Sequence, residues 1–441
     1  MRSPKWFLLV AKEFRELLAS RAYWLLLVMI GPLVGQGFIT AVNLYSEVSG
    51  TGDAPAALAQ GLSPLDGILV PTFGAYDLAV TLLFPFVAIR LVSAEKESGA
   101  LKLMLQAPFS VSASMAAKGF VIVFAWLIAW IPGLIGLLLW KSYGGHLYAP
   151  ETINLLTGHL IRVILSAGVA VAAAAVSTGA ATAAIIALGF TVGTWALEFL
   201  AAWRGGLIQK LATYTPTAAL RSFEQGQFRL ATLLVIIIFG VGGFALGSVW
   251  LPTGRSWLRR AVGTTVVLLA IAAAAVGAST IRSQWDLSEN QHNSFPPADR
   301  AALSKIREPL HIKVYLAPDD PRLTDLERGI IEKLRVILPR VDVDYAAQSA
   351  SGLFEGAEDH YGEVWYELGG RSVMSRSTTE PIVLETLYEL AGIQLPEPTD
   401  DKPYPGYPLS ARPRNAALIF YALWPLAIVV GWWLNYKLRS Q

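Results

Sequence analysis

Eight long apolar segments constrain the fold of this chain more than any other feature of its sequence. An α-helix rises ~1.5 Å per residue, so about 20 apolar residues cross the ~30 Å hydrocarbon core of a bilayer. Of the 441 residues, 54% are hydrophobic and only 15% are charged, whereas soluble domains have roughly 25% charged residues. The sequence therefore predicts a polytopic all-α membrane protein with about eight transmembrane helices, at residues 22–42, 69–92, 119–140, 155–177, 180–202, 230–251, 261–281 and 416–433.

The charges of the chain separate two regions. Residues 282–412 hold 14 Lys or Arg and 22 Asp or Glu, a net charge of −8, whereas the remaining residues have a net charge of +10. Basic residues accumulate in the cytoplasmic loops of membrane proteins. We therefore predict a protein of the inner (plasma) membrane, in contact with membrane lipids, with both termini in the cytoplasm. The acidic insert, residues 282–412, is expected on the extracytoplasmic side.

The predicted domain organisation follows from this topology. Before the first span, apolar side chains share one stripe of a helix while Lys12, Glu13 and Glu16 lie elsewhere, which is typical of an amphipathic helix in the membrane interface. The chain then divides into five parts, which are residues 1–20 with this interfacial helix, 21–260 with six spans, 261–281 with the seventh span, 282–412 with the acidic insert, and 413–441 with the eighth span and a tail.

The acidic insert has the pattern of a small α/β domain. Alternating apolar residues predict two strands, and the helix between them is expected to begin at a capping box, Thr324 to Glu327. Residues 363–367 and 371–375 flank a Leu-Gly-Gly turn and predict a hairpin. A last helix follows and is closed by Gly392. The order β-α-β, β-β-α is thioredoxin-like, but the chain has no cysteine for dithiol chemistry.

Several classes of catalytic site are excluded by residues that the chain lacks. It has no cysteine, and its five histidines never stand at the spacing of metal ligands, so we expect no metal site. No Gly-Lys pair occurs, which excludes a P-loop, and no Gly-x-Ser-x-Gly or His-Glu-x-x-His pattern is present. We therefore predict no catalytic residue, no cofactor held by this chain and no nucleic-acid partner.

The most informative stretch of the sequence follows the second predicted span. Residues 92–120 read VSAEKESGALKLMLQAPFSVSASMAAKGF and predict a short charged helix, residues 94–105, which Pro108 ends. The stretch resembles the signature of ABC-type exporter permeases, a group that includes the nitrous-oxide-reductase maturation permease and the gliding-motility permease. Ala100 replaces a threonine of that signature, and Lys118-Gly119 reverses a Gly-Lys pair. The matching positions are Glu95, Gly99, Leu101, Leu103, Leu105, Pro108 and Ser110.

This resemblance, which covers roughly residues 5–250, implies that residues 94–105 are a coupling helix. In that family the first cytoplasmic loop docks on a separate ATPase subunit, which binds ATP and Mg²⁺. The carboxylates would offer charge to that subunit, and the leucines would anchor the helix on the membrane body. A homodimer bound to two ATPase copies is expected, and an ordinary solvated loop is the alternative. The predicted coupling residues are Glu95, Glu97, Gly99, Leu101 and Pro108.

A second resemblance lies in the acidic insert. Asp286, Leu287, Ser288, Glu289 and Asn290 match a segment of the accessory subunit of gliding-type ABC systems. The resemblance implies a permease fused to a shortened accessory subunit, whose own pair of spans would be the seventh and eighth. The insert would then offer a surface to an extracytoplasmic protein partner.

Three ionisable residues, Asp77, Arg162 and Glu198, fall inside predicted spans. A charge within a membrane is costly and is therefore a candidate for function. A position near the outer interface, where the side chain stays hydrated, is the simpler interpretation. Two glycine pairs, in GPLVG at residues 31–35 and GFALG at residues 243–247, allow close helix approach and would suit a dimer seam.

These observations favour the transmembrane subunit of an ABC transporter. ATP hydrolysis by the partner subunit would drive either substrate export or the transmission of force to an extracytoplasmic partner, and the sequence favours neither. One alternative is a membrane-anchored scaffold whose α/β domain recruits a partner. The third is a secondary transporter, which would need coupled ionisable residues near the membrane midplane, and the sequence does not show them.

The predicted topology can be tested with a single cysteine, because the natural chain has none. Ser351→Cys lies in the acidic insert and should react with a membrane-impermeant maleimide in intact spheroplasts. Reaction only after the membrane is permeabilised would contradict the predicted orientation.

Overall fold

The computed structural model describes residues 5–50, 62–106, 109–203, 207–252, 254–317, 320–346, 360–396 and 404–440. Within these ranges, eight helices are long and apolar enough to cross a membrane. Their number agrees with the sequence prediction and fits a polytopic, multi-pass membrane protein. We call them spans one to eight, which are Arg21–Gly50, Leu65–Glu97, Val111–Ser142, Ala149–Val176, Ala180–Ala201, Leu230–Trp250, Trp257–Ser279 and Ala416–Arg439.

Spans two and three are each built from consecutive helical segments. The second residue of the later segment of each is a proline, Pro85 or Pro132, which has no N–H to continue the preceding helix. Span two continues beyond its predicted limit as far as Glu97. The segments are Leu65–Leu69 (a π-helical turn), Val70–Leu82 and Phe84–Glu97 in span two, and Val111–Ala129 and Ile131–Ser142 in span three.

Short helices connect the spans. The leader helix, Lys5–Ala19, precedes span one where the amphipathic helix is predicted, and the elbow helix, Ala100–Gln106, joins spans two and three. Two more helices, Leu207–Ala212 and Pro216–Glu224, lie between spans five and six. The single helix predicted for residues 94–105 is therefore wrong, because its first turn belongs to span two and a break at Gly99, with φ +73°, precedes the elbow helix.

The spans differ strongly in burial. At least half of the most apolar stretch is buried in each of spans one to four, whereas the share is 11% in spans five and eight and 6% in span seven. Among the largest fully buried side chains, Trp126, Tyr76 and Phe73 belong to spans two and three. Spans one to four thus form the packed core of the membrane part, and spans five, seven and eight lie at its periphery.

Glycines bring spans four and six into direct backbone contact. A Cβ atom on Gly168 would lie 2.0 Å from the carbonyl oxygen of Gly240, and one on Gly243 would lie 2.3 Å from the carbonyl oxygen of Gly168. Any side chain at these positions would push the two helices apart, because the obstructing atoms are backbone. The second glycine pair of the sequence analysis is therefore part of the core of one chain.

The first glycine pair is covered by span eight. A Cβ atom on Gly31 would lie 2.1 Å from Cδ1 of Trp424, and one on Gly35 would lie 2.3 Å from Cβ of Phe420. The indole Nε1 of Trp424 also donates to the carbonyl oxygen of Leu27 at 2.6 Å. The interpretation of these glycine pairs as a dimer seam is wrong, because both are occupied by contacts within the chain.

Residues 297–391 contain a four-stranded sheet with helices. Its strands are β3 (Leu310–Val314), β4 (Val341–Tyr345), β5 (Val364–Leu368) and β6 (Arg371–Ser375). The strand order is β4-β3-β5-β6, in which β3 and β4 are parallel and the other neighbours are antiparallel. The helical segments are Pro297–Leu303, Pro321–Leu326, Glu327–Ile331 (π-helical), Glu332–Ile337 and Glu380–Ala391.

Local signals fixed most of these boundaries. The predicted hairpin is confirmed as β5 and β6, and its two turn glycines, Gly369 and Gly370, both have positive φ, as a two-residue turn between antiparallel strands favours. Gly392 ends the last helix with φ +67°, as predicted. The predicted helix start at Thr324 is wrong. The helix begins at Pro321 instead, where the side chain of Asp320 accepts from the backbone N–H of Arg322.

A short ribbon fastens this α/β domain to the membrane part. Strand β1 (Gln227–Arg229), just before span six, pairs with strand β2 (Gln284–Asp286), just after span seven. The guanidinium Nη2 of Arg229 donates to Glu332 at 2.6 Å, on the helix that follows β3. The domain is therefore held against the ends of spans six and seven by backbone pairing and by an ion pair.

Gly168→Ala should destabilise the protein by about 1–3 kcal/mol, because the new methyl group overpacks the seam between spans four and six. Gly189→Ala is the matched control, since that glycine is also helical and has nothing within 4 Å of a Cβ atom. The measurement is the thermal unfolding midpoint of the purified protein in detergent. Equal midpoints for the two variants would contradict the close contact described for Gly168.

Candidate functional site

A buried ion cluster lies where the leader helix, span two and span three meet. The side chains of Lys118 and Glu13 are 0% exposed, and that of Glu95 is 2% exposed. Lys118 Nζ donates to Glu13 Oε2 at 2.7 Å, to Glu95 Oε1 at 2.8 Å and to the carbonyl oxygen of Leu91 at 3.1 Å. An ammonium group has three N–H donors, so the hydrogen-bonding capacity of Lys118 is fully used.

The leader helix contributes Glu13 from its buried face. Leu9, Glu13 and Leu17 follow one another at intervals of four residues, so they lie on one side of a helix, and all three are buried. Trp6 and Phe7 are exposed. The sequence prediction placed Glu13 outside the apolar stripe. That placement is wrong, because the stripe that faces the core passes through this carboxylate.

Lys12 and Glu16 extend the cluster towards the surface. Lys12 Nζ lies 3.0 Å from Glu13 and 3.0 Å from Glu16, and it also pairs with Glu95. Burial acts to lower the pKa of Lys12, but the negative charges of Glu13 and Glu95 outweigh it and raise the pKa above its ordinary value. Burial raises the pKa of Glu16. Lys12 therefore remains a cation throughout the physiological pH range.

The donor set suits ion pairing better than metal binding. Glu13, Glu16 and Glu95 each place a carboxylate oxygen within 4.8 Å of the others, a spacing that could hold a cation. The ammonium groups of Lys12 and Lys118 already donate to oxygens of these carboxylates. A metal ion would have to displace both lysines, so a lysine–carboxylate network is the arrangement that the residues fit.

Lys96 fastens the end of span two to the end of span four. Its Nζ donates to the carbonyl oxygens of Ala174, Ala175 and Ser177 at 2.9, 2.8 and 2.7 Å. The last carbonyls of a helix lack partners within the helix, and a cation there also interacts favourably with the helix dipole. Glu95 and Lys96 together fasten the end of span two to the leader helix, span three and span four.

The predicted coupling residues divide into a buried and an exposed group. Leu101 is 4% exposed and packs into the core, whereas Leu103 is 71% exposed. Glu97 and Gly99 are also exposed. The sequence predicts that Glu95 offers its charge at the surface. It does not, because Lys12 and Lys118 neutralise its carboxylate inside the protein. Leu103 does not anchor the elbow helix.

Pro108 lies outside the described residues. The elbow helix ends at Gln106, and the next residue that the structure describes is Phe109. The role predicted for Pro108, which is to end the charged helix, therefore stays a prediction.

The three ionisable residues predicted inside spans lie in one region of the bundle. Arg162 is buried, forms an ion pair with Asp77 and donates to Thr81 Oγ1 at 3.3 Å. Glu198 accepts from the hydroxyl of Thr215 at 2.6 Å and interacts electrostatically with Arg162. Arg162 stands midway along the 28 residues of span four. The interpretation that these residues lie near the outer interface stays a prediction.

The DLSEN segment, residues 286–290, leads into the α/β domain and contacts the other end of span four. The carboxylate of Glu289 hydrogen-bonds to His146 Nε2 at 2.9 Å and accepts from the Tyr407 hydroxyl at 2.7 Å. Its backbone N–H donates to the carboxylate of Glu151, in the first turn of span four, at 3.2 Å. The rings of His146 and Tyr407 stack with centroids 3.7 Å apart. The carboxylate of Asp286 accepts hydrogen bonds within the segment itself.

Sequence reasoning missed four members of the ion cluster. Lys118 enters the sequence argument only as part of a reversed Gly-Lys pair, and Lys12, Glu13 and Glu16 are predicted on a polar face. A local signal existed for Glu13, because its spacing of four from Leu9 and from Leu17 places it on their side of the helix. Nothing local indicated its pairing with Lys118, which is 105 residues away.

Comparison with protein-family models, curated proteins and solved structures gave no match to this chain. The resemblance to exporter permeases therefore rests on the quoted residues and stays a prediction. The geometry of the two ends of span four is independent of that resemblance, since it follows from contacts within the chain.

Lys118→Met should destabilise the protein by about 3–5 kcal/mol, because it leaves Glu13 and Glu95 buried without their shared cation. Lys102→Met is the control, since Lys102 is exposed on the elbow helix, and it should change stability by less than about 1 kcal/mol. Thermal unfolding in detergent measures both variants.

Neutralising both carboxylates should restore most of the stability that Lys118→Met loses. The rescue variant combines Lys118→Met with Glu13→Gln and Glu95→Gln, because a buried site without charges no longer requires a counterion. If Lys118→Met unfolds at the same temperature as Lys102→Met, the buried ion cluster is contradicted.

Proposed function

We propose that this chain is the transmembrane subunit of an ABC transporter, moved by a separate ATPase subunit. The sequence resemblance around Glu95 motivates the proposal. The observation that carries it is the attachment of the elbow helix, Ala100–Gln106, whose base is fastened by Glu95 and Lys96 to the leader helix and to spans three and four. A force applied to a loop fastened in this way moves several spans together.

The elbow helix and the last turn of span two together have an exposed face and a buried face. Glu97, Lys102 and Leu103 are exposed, and an apolar side chain between charged ones is the usual composition of the centre and rim of an interface. We assign these residues to contact with the ATPase subunit. Glu95 and Leu101, which are buried, act as positioning residues that hold the helix on the bundle.

Span four connects the elbow helix to the α/β domain and could transmit movement between them. Lys96 binds the carbonyls at its C-terminal end, and Glu151 in its first turn binds the DLSEN segment, which leads into the α/β domain. Its 28 residues correspond to roughly 40 Å of continuous helix. A rigid-body shift of the elbow helix would therefore reach the α/β domain. This route supports transmission of force to a partner on that side as well as substrate export.

The predicted orientation and stoichiometry are consistent with these contacts. With both termini in the cytoplasm, the elbow helix faces the compartment that holds ATP, and the α/β domain faces outward. A homodimer with two ATPase copies would place one ATPase subunit on each elbow helix. Spans five and seven have large unburied apolar faces, and we assign the contact between permease copies to these faces rather than to the glycine pairs.

A second candidate is an ion-coupled secondary transporter, which one observation favours. Arg162 and Asp77 form an ion pair midway along span four, and coupled ionisable residues at such a depth are a feature of that class. The two candidates differ in their energy source. Transport by vesicles that contain only this chain, driven by an ion gradient, would favour the second candidate.

Leu103→Asp should lower ATP hydrolysis by the assembled complex at least tenfold, because a charge replaces an apolar contact at the docking surface. The control is Leu395→Asp, since Leu395 is 63% exposed and lies far along the chain from the elbow helix. The measurement is vanadate-sensitive ATP hydrolysis by the full chain co-purified from its own membranes with a P-loop subunit.

The chain by itself should hydrolyse no ATP, because it has no P-loop. Glu97→Ala should weaken association with the ATPase subunit modestly. Glu95→Ala leaves Lys118 without one of its two carboxylates and should lower both thermal stability and the coupling of hydrolysis to transport. Hydrolysis by the isolated chain, or equal activity of Leu103→Asp and Leu395→Asp, would contradict the proposed function.

A further inference from the structure

A cavity of about 240 Å³ lies between the leader helix, the elbow helix and the first turn of span three. Leu8 lines this cavity and is also 52% exposed at the protein surface, so the cavity reaches the surface there. The lining is mainly apolar, and its polar members are Ser110, Ser114 and Lys12, whose ammonium group is already paired with Glu13, Glu16 and Glu95. The apolar members are Leu8, Leu9, Leu101, Met104, Phe109, Val111 and Leu251. The cavity is therefore suited to an aliphatic ligand.

One polar group in the wall has no partner. Ser114 lines the cavity and is 7% exposed, and its hydroxyl oxygen has no hydrogen-bond partner within the described part of the chain. Ser110, one turn earlier, is occupied by capping span three, where its oxygen accepts from the N–H of Ala113 at 3.1 Å. Buried hydroxyl groups are almost always hydrogen-bonded, so a ligand of this cavity is expected to bring an oxygen for Ser114.

The surface around the opening indicates what fills the cavity. Trp6, Phe7 and Leu8 form an exposed apolar patch on the leader helix, and a helix with such a face lies in the interface of a membrane. The opening at Leu8 is part of this patch. The apolar material that meets the opening is then the lipid of the adjoining leaflet, and an acyl chain can enter the cavity from that leaflet without crossing water.

We propose that this cavity binds the acyl chain of a membrane phospholipid, with an ester oxygen of that lipid accepting a hydrogen bond from Ser114. The chain would pack between Leu9 of the leader helix and Leu101 and Met104 of the elbow helix. A bound lipid would therefore hold the elbow helix against the leader helix. This consequence for coupling rests on the proposed function, whereas the binding itself does not.

Photo-crosslinking of the full chain in vesicles tests the binding. The vesicles consist of phosphatidylethanolamine and phosphatidylglycerol with a trace of phosphatidylethanolamine that carries a diazirine at the end of one acyl chain. Peptide mapping after illumination should find label on residues 101–115. Span seven, of whose most apolar stretch only 6% is buried, is the internal reference for ordinary lipid contact.

Two tryptophan variants of the elbow helix separate the cavity from its surroundings. Met104→Trp fills the cavity and should lower labelling of residues 101–115 at least tenfold relative to span seven. Leu103→Trp adds the same bulk to an exposed position of the same helix and should leave the labelling unchanged. Leu251→Phe also fills the cavity, because Leu251 lines it as well, and it should lower the labelling as Met104→Trp does. It takes the place of Met104→Trp if that variant fails to fold.

Equal labelling of residues 101–115 in the filled and control variants would overturn the proposal. Labelling of this segment well below that of span seven in the natural protein would overturn it as well. The experiment contains no ATPase subunit and no ATP, so its outcome is independent of the proposed function. If residues 101–115 of the natural protein stay unlabelled while a separately prepared complex with the ATPase subunit hydrolyses ATP, the lipid site is rejected and the proposed function stands.

Discussion

Lys118 carries a charge at a position without access to water, and it can remain there only while Glu13 and Glu95 hold it. Removing an ion from water costs several kcal/mol even after the protein relaxes, so a buried ion pair requires close geometry and satisfied hydrogen bonds. Both conditions are met, because all three donors of Lys118 are used. The partners lie 105 and 23 residues away along the chain. The cluster therefore forms only when the leader helix, span two and span three stand in one arrangement.

At the same end of the bundle, the connection between spans two and three is fastened at several points. Glu95 and Lys96 are neighbours in sequence, yet one binds the ammonium groups of the cluster and the other binds the carbonyls that end span four. Span four then reaches the opposite end of the bundle, where Glu151 accepts a hydrogen bond from Glu289, in the segment that leads into the α/β domain. Backbone contact at Gly168 holds this helix against span six along its length. A displacement at the elbow helix is therefore shared by the core spans rather than absorbed locally.

The peripheral spans, five, seven and eight, contact the core through few residues and leave most of their apolar surface unburied. Span eight is attached to span one where Trp424 and Phe420 fill the space over Gly31 and Gly35, although most of its surface remains exposed. Span seven contacts span six, where Gly242 meets Ile271 and Gly263 meets Val249, and only 6% of its most apolar stretch is buried. The glycines that would suit association between two copies are consumed within one chain. Any contact between two copies of this chain has to use other surfaces, and spans five, seven and eight have large unburied apolar faces.

The sequence by itself determined the eight spans, the β5–β6 hairpin and the end of the last domain helix. Each depends on a local property, such as an apolar length that matches a bilayer, or a glycine that tolerates positive φ. It did not determine that Glu95 is buried, that Leu103 is exposed, or that the glycine pairs face partners in the same chain. Those outcomes depend on which distant residues meet, because a carboxylate is stable in the interior only where a cation arrives from another segment. Composition and periodicity report the neighbours of a residue along the chain, whereas the tertiary structure alone brought Lys118 between Glu13 and Glu95.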